Sequence, residues 1–283
     1  MIDYKNRLDI NWAETKIGIL GGGMSGIAAA KLGKYLGANI FISDNDDDPG
    51  TIEKMCEFNY ESGVHSKKIL ESDLIIISPG IPDSISIIND CKCNNIPIVS
   101  EIEFGSWFTE SPILALTGSN GKTTTVNLLH DMCISDGKNS FLGGNIGIPF
   151  SENVLWELKD EKINAVHVLE LSSFQLEHIQ SFSPIIAGLL NISEDHMDRY
   201  KDIHDYSNNK IKLTSNIADS GWIIYNGDDP ILVKAFHNNE NAQIFSMQNQ
   251  SKPHFKLNAT KIYSGSPNNP DILFKLDETK LKG

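Results

Sequence analysis

The stretch Thr117-Gly118-Ser119-Asn120-Gly121-Lys122-Thr123-Thr124-Thr125 narrows the possible folds more than any other part of the chain. An apolar run, Pro112-Ile113-Leu114-Ala115-Leu116, leads into it, and a helical pattern from Val126 to Met132 leads out. Strand, glycine-rich turn and helix, in that order, frame a phosphate-binding loop, and they imply α/β architecture built on a parallel sheet. Gly118 and Gly121 let backbone N–H groups close on phosphate oxygens, and the helix N-terminus adds its positive dipole. Lys122 has the reach for β- and γ-phosphates, and the Thr123 hydroxyl can ligate Mg²⁺. The general pattern has a glycine where Leu116 stands, so G-S-N-G-K-T-T is a shorter variant. A chance Gly-Ser turn bearing a lysine has no reason to sit between a strand and a helix.

The same alternation of short apolar runs and helical patterns fills most of the 283 residues, enough for about two domains. In the first half the expected strands are Lys16–Leu20, Asn39–Ser43, Leu74–Ile77 and Ile96–Val99. A helix of about two turns, Glu101 to Phe108, leads to a boundary near Thr109–Ser111. In the second half the expected strands are Ile113–Leu116, Ala165–Leu169, Ile185–Leu190 and Trp222–Tyr225, with a helix from Ile203 to Asn216. Past Asn241 the chain turns polar, with β-like pieces at Ile244–Phe245, Phe255–Leu257 and Ile272–Phe274.

Gly21-x-Gly23-x-x-Gly26, after the first strand, has the form of a dinucleotide-binding turn. Asp44 ends the next strand, where an acid can meet a ribose hydroxyl. That raises an NAD-dependent oxidoreductase as one reading. Against it, the first half is short for a double nucleotide-binding unit, and a second phosphate loop follows at once. Two such turns fit two different phosphorylated ligands. Asp46 to Asp48 read as a solvated acidic loop. Ser78-Pro79-Gly80 is either a simple turn or a wall of the ligand crevice.

Three later motifs carry candidate chemistry. Glu170, in E-L-S-S-F-Q-L-E, closes a strand and can face the phosphate loop as an Mg²⁺ ligand or serve as an ordinary helix-start acid. His196 lies among acids in E-D-H-M-D-R-Y, again just after a strand, a position that favours a site over a packing role. Lys210, judged by residue types alone, is a solvated helix lysine. Gly143-Gly144-Asn145-Ile146-Gly147 reads as a flexible loop, equally suited to a sugar or phosphate contact and to a plain turn.

Charge and cysteines exclude several classes. The net charge of −13 argues against a nucleic acid or an anionic membrane held by a basic surface. Cys56, Cys91, Cys93 and Cys133 lack C-x-x-C spacing, which fits reduced thiols in a cytoplasmic protein and no zinc site. Met1 to Trp12 lacks the apolar core of a signal peptide, and no apolar run nears the ~20 residues of a membrane span.

Taken together, G-x-G-x-S-G at Gly21, S-P-G-I at Ser78, G-S-N-G-K-T-T at Gly118, G-G-N-I-G at Gly143, E-L-S-S-F-Q-L-E at Glu170 and E-D-H-M-D-R-Y at Glu194 resemble the Mur ligases, in order and spacing. The last two favour the D-glutamate-adding branch. The resemblance implies a Rossmann-like domain over residues 1–110, binding a UDP-linked substrate, and a P-loop α/β central domain over 111–283, incomplete at its C-terminal end. It implies an ATP-dependent ligase that adds D-glutamate to UDP-N-acetylmuramoyl-L-alanine through an acyl phosphate, with two Mg²⁺ ions, in a cytoplasmic monomer. Met24, Ser25, Asp44 and Gly80 then line the UDP site, and Asn145 and His196 meet the muramoyl substrate. Gly118, Ser119, Asn120, Gly121, Lys122, Thr123 and Thr124 hold ATP phosphates. Thr123, Glu170, His196 and Lys210 hold metal, Lys210 as a carbamate, a role nothing in its local composition suggests. Lys122, His196 and Lys210 carry the catalysis.

Two departures stand out. The family often carries D-T-R after the second strand, where this chain has Asp44-Asn45-Asp46, so a basic contact to the uridine or its phosphates is missing. The family also continues past an L-x-G stretch with H-N-x-x-N and a third domain for D-glutamate. The sequence here ends at Leu281-Lys282-Gly283, so the expectation is a piece lacking that domain, inactive alone. A binding module that holds the UDP precursor without turnover is the second reading.

Overall fold

The computed structural model describes residues 10–160, 164–217 and 220–247, together with the backbone of 255–258, 261–266 and 269–275. The first half runs β1 (Lys16–Leu20), α1 (Met24–Tyr35), β2 (Asn39–Ser43), α2 (Pro49–Met55), β3 (Asn59–Glu61), β4 (Leu74–Ile77), α3 (Ser86–Cys93), β5 (Ile98–Ser100) and α4 (Glu101–Ser106). Its five strands are all parallel, in the order β3-β2-β1-β4-β5. All four residues of β4 are buried, as expected of a strand covered on both faces. β3, an exposed Asn-Tyr-Glu edge, has no apolar signature and was not anticipated.

The second half runs β6 (Ile113–Thr117), α5 (Lys122–Ser135), β7 (Asn139–Gly144), α6 (Phe150–Asp160), β8 (Ala165–Glu170), α7 (Ser173–Leu176), β9 (Ile186–Leu189), α8 (Ile203–Ile211), β10 (Trp222–Asn226), α9 (Pro230–Phe236), β11 (Ala242–Ser246), β12 (Phe255–Asn258), β13 (Lys261–Ser266) and β14 (Asn269–Lys275). The sheet order is β14-β13-β12-β11-β10-β9-β6-β8-β7, parallel from β7 to β12 and antiparallel beyond. Two expectations change here. Gly143-Gly144 belongs to edge strand β7 rather than to a flexible loop. The helix expected to Asn216 ends at Ile211 and continues only as a 3-10 turn, Lys212–Thr214.

One apolar core crosses both sheets. Ile17, Ile42 and Ile76 of the first sheet share it with Leu169 and Ala187 of the second and with Phe150 and Val154 of α6. Helix α4 is the seam, and its two buried acids are fixed differently. Glu103 Oε1 accepts from Trp107 Nε1 (2.9 Å), Ser181 N (2.9 Å) and Ser181 Oγ (2.5 Å). Its Oε2 accepts from Gln180 N (2.9 Å) and Phe182 N (2.8 Å). Glu101 Oε1 accepts from Ser151 N in the first turn of α6, while its Oε2 is buried with no hydrogen-bond partner. Burial pushes the Glu101 carboxyl up to about 7. Of the cysteines, all free, Cys91 is buried, Cys133 half-buried, and Cys56 and Cys93 exposed.

Candidate active site

Parallel strands end at a common edge, so register alone decides which strand-end residues meet. Leu116 pairs with Glu170, Thr117 with Leu189, and Gly144 with Glu170. The phosphate loop after β6, the acid closing β8, the amide after β7 and the segment after β9 are therefore neighbours. β6 also lies where the connections leave in opposite directions, the position at which open α/β sheets bind ligands.

The loop is laced to that neighbourhood. Gly121 caps α5 with φ +83°, a left-handed conformation natural to glycine. Ser119 N donates to Asn191 O (2.9 Å) and Asn120 N to Asn191 Oδ1 (2.8 Å). Ser119 Oγ donates to Ser193 O (2.9 Å), and Thr117 Oγ1 to Leu171 O (2.8 Å). Lys122 Nζ folds onto the loop, donating to Gly118 O (2.9 Å) and Ser119 O (3.1 Å). Thr124 lies exposed in the first turn of α5.

Glu170, 2% exposed, is the centre of the constellation. Thr123 Oγ1 donates to its Oε2 (2.8 Å) and Asn145 Nδ2 to its Oε1 (2.9 Å). Gly144 (φ +99°) lets the end of β7 pass close to the Glu170 backbone, where Asn145 N donates to Glu170 O (2.7 Å), because a Cβ there would stand 2.2 Å from that oxygen. A hydroxyl and a carboxylate side by side at a phosphate loop are hard oxygen donors of the kind Mg²⁺ takes.

Lys210 is the largest departure from its reading by residue type. It is 2% exposed rather than solvated, because α8 lies across the loop. Its Nζ donates to Gly118 O (3.1 Å) and stands 4.6 Å from the centre of the Tyr206 ring. Burial first, and then the neighbouring Lys122 charge, bring its pKa down to about 7.

His196 is placed differently. It has φ +55°, a region that histidine enters more readily than most residues, and its side chain is half-exposed. Its ring lies 4.8 Å from that of Phe174, and Nε2 is 3.6 Å from Asp195 Oδ2. Among the described residues, no three His, Cys, Asp or Glu side chains converge as a metal cluster. The Thr123–Glu170 pair is assembled; His196 sits on a separate loop beside it.

In the first sheet, connections diverge between β1 and β4, and the candidate residues gather at the ends of those two strands and of β2. Asp44 Oδ2 accepts from Gly22 N (2.5 Å) and Oδ1 from Asp46 N (2.7 Å). Ser78 Oγ donates to Gly21 O (3.1 Å), and a Cβ on Gly26 would fall 1.9 Å from that same oxygen. Met24 and Gly80 are exposed and Ser25 half-buried at this edge.

Arg199 and Glu177, which nothing in their local sequence marks as partners, meet beside this edge. Arg199 Nη2 donates to Glu177 Oε2 (2.6 Å), and the guanidinium stacks 4.2 Å from the Phe174 ring centre. The only local signal was an Arg-Tyr pair following a turn. A cavity of about 620 Å³, lined by Leu114, Met132, Cys133 and Val166, lies at the opposite edge of the second sheet and contains none of these residues.

Comparison with known proteins supplies further findings. The model of the Mur ligase middle domain matches residues 116–280, and that of the MurD N-terminal domain matches residues 16–86. A UDP-N-acetylmuramoylalanine--D-glutamate ligase from Christiangramia forsetii is 43% identical over 219 residues, covering 76% of this chain and 48% of that protein. The ligase of the same name from Chlorobaculum parvum is 41% identical over 228 residues, covering 76% and 47%. The chain thus spans about half the length of the curated relatives it matches. Among solved structures, the UDP-N-acetylmuramate:L-alanyl-gamma-D-glutamyl-meso-diaminopimelate ligase from Neisseria meningitides superposes with a TM-score of 0.60 at 18% identity, covering 90% of this chain and 85% of that one. The UDP-N-acetylmuramate-alanine ligase of Thermotoga maritima gives 0.52 at 20% identity, covering 89% and 57%. At that identity the two structures speak for the fold alone.

Proposed function

The chain belongs to the Mur ligases, and on that premise we propose that it carries the UDP-precursor and ATP sites of a ligase joining D-glutamate to UDP-N-acetylmuramoyl-L-alanine. The observation that carries the reading is the convergence of Lys122, Thr123, Asn145, Glu170 and Lys210 at one sheet edge. Residues 1–110 hold the UDP precursor through Met24, Ser25, Asp44 and Gly80, and residues 111–283 hold ATP through Gly118 to Thr124. The protein is a cytoplasmic monomer with no nucleic-acid partner. Among the described residues no helix is long and apolar enough to cross a membrane.

In this reaction a carboxylate oxygen of the precursor attacks the γ-phosphorus of ATP. The bond from that phosphorus to the β,γ-bridging oxygen breaks, and ADP departs. The amine of D-glutamate then attacks the acyl carbon, loses a proton, and expels phosphate to leave an amide. Phosphorylation is needed because a carboxylate has no leaving group better than oxide. Lys122 leaves the loop carbonyls for phosphate oxygens and offsets the repulsion between triphosphate and carboxylate. Thr123 and Glu170 would hold Mg²⁺, which would supply positive charge against the charge building on the transferred phosphoryl group. Asn145 orients the Glu170 carboxylate and faces the muramoyl substrate. His196, on the adjoining loop, completes the metal and substrate side.

Lys210 has the environment that carbamylation requires. With its pKa lowered to about 7, a large share of the amine is uncharged at neutral pH. The free amine adds to CO₂, a proton leaves nitrogen, and a cation becomes an anion able to hold a second Mg²⁺ beside the loop. The uncharged fraction grows as pH rises through about 7, so uptake of ¹³C-bicarbonate into a carbamate signal should increase from about pH 6 to about pH 8.

The test uses the complete ligase containing this chain. Phosphate release should need ATP, UDP-N-acetylmuramoyl-L-alanine and D-glutamate together, and equal turnover with L-lysine would sink the assignment. Lys210→Ala should lower turnover by about a hundredfold or more, with partial rescue by short carboxylic acids. Wild-type turnover in that variant would remove the carbamate role.

A further inference from the structure

We propose that Arg199 is a positioning residue for the UDP crevice: from the second sheet, it holds the Ser78–Ile81 turn of the first in the conformation that receives the diphosphate. This rests on the reading above, which puts a UDP moiety at that turn.

The geometry is a fork spanning the seam. Arg199 Nη1 donates to Pro79 O (3.0 Å) and Nη2 to Ile81 O (3.1 Å), while Nη2 also meets Glu177 Oε2 (2.6 Å). Tyr200 Oη donates to Glu177 Oε1 (2.7 Å), so both oxygens of the acid are engaged. Phe174 supports the guanidinium from its face at 4.2 Å. Both charged side chains are largely shielded, 17% exposed for Arg199 and 14% for Glu177. A planar guanidinium can bind a carboxylate and two carbonyls together, whereas an ammonium on a flexible stem cannot reproduce that fork.

The turn is closed on itself by Ile81 N donating to Ser78 O (3.1 Å) and tied to β1 by Ser78 N donating to Leu20 O (2.9 Å), but neither bond engages the Pro79–Gly80 peptide. Ser78 Oγ donates to Gly21 O (3.1 Å), and Asp83, two residues beyond Ile81, pairs with His178 (2.8 Å). The carbonyls flanking Gly80 are those that Arg199 holds. No peptide bond among the described residues is cis, so the Pro79–Gly80 peptide sets its N–H antiparallel to the Pro79 carbonyl. Pinning that carbonyl to Arg199 therefore fixes the direction of the Gly80 N–H, a donor suited to a diphosphate oxygen. The same loop carries Asp195 and His196 four and three residues earlier, so it links the edge near the phosphate loop to the UDP crevice.

The experiment is calorimetric titration of the full chain with UDP and, separately, with AMP-PNP and Mg²⁺, for wild type, Arg199→Ala and Arg199→Lys. Arg199→Ala should weaken UDP binding about tenfold while AMP-PNP affinity stays within about twofold, and Arg199→Lys should recover part of the loss. Wild-type UDP affinity in Arg199→Ala overturns the proposal. So does an equal loss of both ligands in both variants, which would make the residue merely structural. If Arg199→Ala does not fold, Arg199→Lys decides: selective UDP weakening supports the role, and unchanged or parallel binding overturns it. Failure of the underlying reading looks different, since wild type itself would then take up no UDP.

Discussion

The turn after β6 and the turn after β1 share a plan of strand, glycines and helix, yet they are finished in opposite ways. The second-sheet turn is surrounded by side chains of its own half: Lys122, Lys210, Glu170 and Asn191 reach it, and Asn145 holds Glu170 from behind. The first-sheet turn is mostly backbone, with Gly23, Met24 and Gly80 exposed and Asp44 as its charged side chain. The neighbouring turn after β4, to which Gly80 belongs, takes its guanidinium from the other half, through Arg199. Phosphoryl transfer needs charges preset before substrate arrives, because reorganising them would cost the stabilisation they provide. Holding a diphosphate asks mainly for aimed N–H groups, which a glycine turn supplies without side chains. The missing basic residue at Asn45-Asp46 is consistent with that division, since the cation beside this crevice is borrowed rather than local.

Removing a side chain should therefore hurt the two turns unequally. The largest effect is expected from Lys122→Ala, which should weaken AMP-PNP by about a hundredfold in titration and leave UDP within about twofold. Equal loss at both turns would break the contrast. Asp44→Ala should act in reverse and more gently, weakening UDP about tenfold with AMP-PNP unchanged. The smallest effect concerns the seam between them. Glu101 has its carboxyl raised from 4.5 to about 7, so the folded chain binds more protons than the unfolded chain across that window. Its stabilising contribution is present below about 4.5 and lost as pH rises through about 7. Glu101→Gln cannot ionise, so its stability relative to wild type should rise by about 1–2 kcal/mol between pH 5 and pH 8 in denaturant melts. A flat difference would show that the seam does not sense this proton.

The sequence disclosed what depends on neighbours along the chain. The phosphate loop, Glu170 and Asp44 stand at strand ends, and apolar runs such as Leu74–Ile77 locate those ends. Edge strands escaped: β3 is exposed, and β7 carries two glycines where its backbone must pass close to Ile148 and Glu170. Lys210 escaped for another reason. Helix α8 carries ordinary polar residues, and only its placement over the loop, 92 residues back in the chain, buries the amine. The grip of Arg199 on Pro79 spans 120 residues and leaves no local trace. Burial and long-range pairing are tertiary facts, and residue type alone does not encode them.

The carboxylate of Glu103 has a consequence for how the molecule breathes. It takes the backbone N–H groups of Gln180, Ser181 and Phe182, three consecutive amides in a connection outside the sheets. Loop amides ordinarily swap hydrogen for solvent deuterium quickly, because local fluctuations suffice to expose them. Here each must wait until a buried side chain that also holds its neighbours lets go. These three positions should exchange as slowly as interior strands, and together rather than one by one. An irregular connection thereby acts as a reporter on whether the two sheets ever come apart.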